Sequence, residues 1–206
     1  GNFNSQVEAH EQIVDYIRNK DCRILFLSSA NVFDSFRHFP SYEYDKTLSE
    51  STYGHFKIKI ENKLFRLAVG KYIIARLPMI FGLNAPRTLE IDEAVKKNNF
   101  IEVFPNTIIN VNSDIRLSQQ IHYLINKKKT GLYHLGSSDL ISHYDFIKMI
   151  VEKRHFNSGI FKQVYTSNTI RYLATLPKKN RLPNHLTPSY IDVINDLYLP
   201  EIRKQY

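Results

Sequence analysis

The chain has 206 residues, of which 43% are hydrophobic and 23% charged, and a formal net charge of +8. This is enough for one substantial core, and the composition is that of a globular protein rather than a disordered one. No apolar stretch has the length of a membrane span, the polar N-terminal stretch does not read as a signal peptide, and the lone Cys22 excludes an internal disulfide framework.

Residues 4–19 read as a helix, because Val7, Ile13, Val14 and Ile17 fall on one stripe at the helical period. Ile24–Leu27 is a short continuous apolar run, which suits a parallel strand buried on both faces. A polar loop with Pro40, Glu43 and Asp45 follows. Residues 50–69 read as a second helix on Tyr53, Phe56, Ile60, Leu64 and Leu67, with Gly70 expected to end it. Residues 71–82, "KYIIARLPMIFG", read as one further buried strand. Helices alternating with apolar strands predict a parallel α/β sheet.

The next stretch predicts a helix over 88–99, short strands over 100–104 and 107–111, and an amphipathic helix over 114–128. Residues 131–136 form one more buried strand, expected to return to the first sheet. Ser142 and Asp145 suggest a capping box for a helix over 143–153. The last 50 residues hold a loop-rich segment, after which Thr187 and Pro188 predict a helix start. The lysine clusters at 96–97, 127–129 and 178–179 read as a solvated basic surface, since no zinc spacing or recognition helix accompanies them.

Chemistry concentrates in residues 28–57. Ser29 lies at the C-terminal end of a predicted parallel strand, where ligands of open α/β sheets bind. Tyr53 and Lys57 are four apart on a predicted helix, so they share a face. A serine, a tyrosine and a lysine in one volume suit proton transfer to or from a carbonyl or alcohol. A free tyrosine titrates near ~10, and an adjacent ammonium is expected to lower that value. Tyr53 would then act as general acid or base, with Ser29 holding the reacting oxygen.

With "LSSANVFD", "YGHFK", "IIARLPMIFG", "GLYHLGSSDL" and "RLPNHLTPSYID" in place, the chain resembles the extended short-chain dehydrogenase/reductase family. Within it the likeness is nearest to the dTDP-4-dehydrorhamnose reductases and their sugar-nucleotide relatives. The resemblance implies Ser29, Tyr53 and Lys57 as catalytic residues. It implies Tyr53, Lys57, Leu77 and Pro78 at the cofactor, and Ser29, Asn31, Arg181 and Asn184 at the substrate. It departs from the pattern at Ala30, Asn31 and Phe56, where those relatives usually carry an acidic residue, an aromatic and a serine.

The expected fold is a partial Rossmann-like parallel sheet flanked by helices, with a small α+β substrate-binding lobe. The catalytic part spans 1–83, and the lobe occupies most of 84–206. None of the seven glycines is spaced for a phosphate-cradling G-x-G-x-x-G turn. The nucleotide-binding first half is therefore expected to lie outside this chain, leaving weak or no binding of NAD(P)H by the chain alone. The function implied is an NAD(P)-dependent sugar-nucleotide reductase in the cytoplasm, with a nucleotide-sugar substrate and no metal, nucleic acid or membrane partner. A homodimer stays open. So do two other readings, an epimerase or dehydratase of the same family and a non-catalytic binding subunit.

Overall fold

A computed structural model describes residues 3–35, 37–154 and 160–198. The chain runs α1 (Asn4–Arg18), β1 (Ile24–Ser29), a 3-10 turn (Ala30–Phe33), α2 (Thr52–Leu64), β2 (Tyr72–Leu77), β3 (Met79–Phe81), α3 (Pro86–Lys96), β4 (Phe100–Val103), β5 (Thr107–Ile109), β6 (Val111–Ser113), α4 (Asp114–Asn126), β7 (Gly131–His134), β8 (Ile141–Ser142), α5 (His143–Lys153), β9 (Ile160–Gln163), β10 (Arg171–Leu173) and α6 (Tyr190–Asp196). The fold is α/β, with parallel strand pairs flanked by helices, as the alternation of helix and apolar strand predicts.

The sheet that matters for the site has the order β1-β2-β7, all parallel. Helices α1 and α2 cover one face through Val7, Val14, Ile17, Phe56, Ile60 and Leu64, against Phe26, Tyr72 and Ile74. Ile60 and Leu64 are fully buried, each a gain of about 1.5–3 kcal/mol over exposure. Ile13 is 45% exposed, so the α1 stripe is narrower than its sequence suggests. The other face packs Ile73, Ala75 and Tyr133 against Leu124 of α4. Here β1 departs from expectation. Leu27 is 40% exposed, so the strand is fully covered on one face only. Among the described residues no strand pairs with its outer edge.

Residues 71–82 are two strands rather than one. Proline has no N–H for the ladder, and at Pro78 the chain leaves β2 and enters β3, which pairs with β6 instead of β7. A second core under α3, α5 and α6 gathers Phe81, Ile101, Val103, Ile109, Phe146, Ile150 and Ile194. Helix α2 ends at Leu64, before Gly70, which sits in a separate 3-10 turn. Helix α6 is capped by Ser189 with Asp192 in a capping box, not by Thr187. At α5, Ser142 accepts from the Asp145 amide and donates to the Asp145 carboxylate.

Candidate active site

Ser29 is the last residue of β1, in register with Leu77 at the end of β2. The backbone then tightens into the 3-10 turn, and Ser29 caps it. Its hydroxyl accepts the Asn31 amide at 3.1 Å and donates to the Asn31 side-chain oxygen at 3.0 Å. Asp34 ends the turn and fixes the start of α2. Its carboxylate accepts the Glu50 amide at 2.7 Å and the Ser51 hydroxyl, while Ser51 caps the Gly54 amide. Burial raises the Asp34 pKa, but the bonds from Ser51, Ser49 and Glu50 outweigh it and hold the carboxylate below its usual range.

Gly54 lets α2 lie against this turn. A methyl there would fall 2.7 Å from Ser49 Cβ and closer still to the Asn31 carbonyl oxygen and Ser49 Oγ. The approach carries Tyr53 to Ser29. Burial raises the Tyr53 pKa, and a hydrogen bond with the Ser29 hydroxyl offsets part of that rise. The expectation of a lowered pKa therefore fails here. Lys57, one turn on, holds its ammonium 5.4 Å from the Tyr53 ring centroid and donates to the Leu27 carbonyl at 2.8 Å. Burial lowers the Lys57 pKa, with Glu61 acting in the opposite direction.

These residues open into a cleft of roughly 440 Å³, whose wall includes Ser29, Asn31, Tyr53, Leu77 and Pro78. Arg87, in the first turn of α3, also lines the cleft and is exposed. Nothing in the sequence marks it, because it stands in a stretch without recognisable spacing. Arg181 and Asn184 are not brought to this cleft. They are exposed residues on a second one of roughly 350 Å³, with Tyr42, Ser138 and Leu176. Glu43 holds that segment by accepting the backbone amides of Lys178, Lys179 and Asn180 at 3.0–3.2 Å.

Below the cleft lies a buried pair that the sequence reading also misses, Glu61 of α2 and Arg76 of β2, 2.7 Å apart. A carboxylate four residues after Lys57 on the apolar stripe, and an arginine inside an otherwise apolar strand, are the signals for it. Among the described residues, no cluster of His, Cys, Asp or Glu could hold a metal ion. No helix there is long and apolar enough to cross a membrane.

Residues 2–190 match the family of the RmlD substrate binding domain, and the chain belongs to that family. Its fold is similar to dTDP-4-dehydrorhamnose reductase from Yersinia enterocolitica, with a TM-score of 0.75 and 23% identity over 92% of this chain and 72% of that one. It is similar to such a reductase from Clostridium acetobutylicum, with a TM-score of 0.76 and 18% identity over 95% and 74%. The Bacillus anthracis reductase, solved in complex with NADP, gives a TM-score of 0.76 and 17% identity over 95% and 74%. A search of curated proteins finds no match.

Proposed function

We propose that this chain forms the catalytic and substrate-binding part of an NAD(P)-dependent sugar-nucleotide reductase that acts on a 4-keto sugar. The observation that carries the reading is the hydrogen-bonded approach of Tyr53 and Ser29 at the C-terminal end of two parallel strands, with Lys57 one turn behind. Family membership and the fold shared with dTDP-4-dehydrorhamnose reductases support it.

The roles follow from the geometry. Ser29 and Tyr53 hydrogen-bond the oxygen being reduced. Because burial raises its pKa, Tyr53 is protonated near neutral pH and is a donor to the forming alkoxide. Lys57 uses one N–H on the Leu27 carbonyl and keeps two for a ribose hydroxyl or for the phenolate left behind. The apolar wall of Leu77, Pro78 and Met79 fits a nicotinamide ring. The cofactor, when bound, supplies the hydride. No glycines in this chain are spaced to cradle its pyrophosphate, so the chain alone binds it weakly.

An epimerase or dehydratase would use the same three residues, but a tyrosine with a raised pKa suits proton donation better than proton removal. Incubating the full-length protein with dTDP- and UDP-4-keto sugars separates the readings. Stoichiometric loss of reduced nicotinamide supports the reductase, whereas redox-neutral turnover sinks it in favour of an epimerase or dehydratase. Sugar binding without turnover points to a binding subunit.

A further inference from the structure

The buried pair under the cleft ties together the elements that build it. Glu61 and Arg76 are 1% and 2% exposed. Arg76 Nε donates to the two Glu61 oxygens at 3.0 and 3.3 Å, and Nη2 donates at 2.7 Å. Ser28, the neighbour of Ser29, donates to Glu61 Oε1 at 2.6 Å. Arg76 Nη1 lies 3.4 Å from His134 Nε2. Arginine only donates, so that nitrogen accepts. The imidazole proton is therefore on Nδ1, which donates to the Leu176 carbonyl at 3.1 Å. The guanidinium carbon lies 4.8 Å from the centroid of the Phe33 ring.

Each element at the cleft thus sends one residue up and one down. Helix α2 sends Tyr53 and Lys57 up and Glu61 down. Strand β1 sends Ser29 and Ser28, strand β2 sends Leu77 and Arg76, and the 3-10 turn sends Asn31 and Phe33. Buried ion pairs add little stability over apolar pairs of the same volume. What a bidentate, charge-assisted pair does supply is fixed direction.

We propose that Glu61 is a positioning residue that locks α2 to the ends of β1 and β2, so that Ser29, Tyr53 and Lys57 share one volume and Lys57 keeps its charge. The inference rests on the reading that those three carry the chemistry. Lys57 faces the rings of Phe26, Tyr53 and Phe56, and His10 packs behind two of them. Of the groups acting on its charge, Glu61 supplies the negative one. Removing that charge is expected to lower the pH at which Lys57 loses its proton.

Deleting Glu61 alone strands the Arg76 charge in the interior and is strongly destabilising. The informative variant is therefore Glu61→Leu with Arg76→Met, which replaces the pair by apolar groups. It is expected to melt close to wild type. In the full-length protein its kcat should fall about 10²-fold with KM little changed, as for a misplacement of about 1 Å. In the 206-residue chain, side-chain NMR should show Lys57 titrating at lower pH. Ser28→Ala leaves the ion pair in place, frees only the β1 end, and should lower kcat about tenfold for a lost part of the same alignment. A stable double variant with wild-type kcat and unchanged Lys57 titration overturns the proposal. So does a double variant that fails to fold, if Ser28→Ala also keeps full kcat. The NMR measurement needs no turnover. A shifted Lys57 in a protein that reduces no 4-keto sugar keeps the positioning inference and removes the reductase reading instead.

Discussion

Replacing Gly54 by alanine asks whether the site depends on the contact between α2 and the turn after β1. The new methyl would lie 2.7 Å from Ser49 Cβ, where ordinary contact begins near 3.4 Å, and nearer still to the backbone oxygen of Asn31. The Ser49 hydroxyl can rotate away, but the Asn31 carbonyl cannot. The helix start must therefore retreat by at least about 0.7 Å. Two effects on stability oppose each other. Alanine gains about 1 kcal/mol over glycine in helix propensity, while overpacking a tight contact costs about 1–3 kcal/mol. The net is a loss of about 1 kcal/mol, or roughly 2–4 °C in Tm for a chain of this size. The effect on catalysis is larger, because Tyr53 is the adjacent residue and moves with the helix. A displacement near 1 Å costs about 10² in rate. The assay is kcat for 4-keto sugar reduction by the full-length variant, beside its thermal melt. A variant that melts a few degrees lower yet keeps wild-type kcat would refute the reasoning, as would one whose lost activity is explained by unfolding.

Two further outcomes follow from the same structure. Burial, and then Arg76, push the His134 pKa down to about 4, and burial, and then Arg87, do the same to His143. Between the ordinary 6.5 and about 4 the unfolded chain binds more protons than the native one. Stability is therefore full above 6.5 and lost as the pH falls through that window, by on the order of 1–3 kcal/mol for each histidine. Urea melts at a series of pH values check this, and a midpoint that stays constant across the window contradicts it. Calorimetry of the 206-residue chain with NADPH should show no tight binding, and a sub-micromolar affinity would mean that residues other than a glycine turn hold the pyrophosphate.

Much of the architecture is legible from period and punctuation. The stripe of Phe56, Ile60 and Leu64 gives α2, and the apolar runs at 24–27 and 72–77 give neighbouring strands. The approach of Tyr53 to Ser29 can be anticipated because a strand end and a helix face are both local features. Other features are not local. Pro78 marks a break, but which strand β3 then pairs with depends on residues 111–113, far along the chain. Thr187 and Ser189 are both sound caps by residue type, and only the bond to Asp192 selects Ser189. Arg181 and Asn184 lie in an irregular segment where no period indicates direction, and its path is set by Glu43 gripping three backbone amides. The raised pKa of Tyr53 depends on burial in the folded protein, which the spacing to Lys57 does not convey.

Tyr53→Phe in the full-length protein tests the central claim most directly. The change keeps the ring, which packs beside Phe3 with centroids 6.1 Å apart, and removes the hydroxyl bonded to Ser29. Loss of a positioned general acid lowers rates by about 10²–10⁴. The loss should fall on kcat, with KM for the sugar nucleotide nearly unchanged, because the proton is needed only as charge develops on the oxygen. A variant that reduces a 4-keto sugar at the wild-type kcat would leave Tyr53 as a half-exposed aromatic on α2 and contradict the assignment of this cleft as the active site.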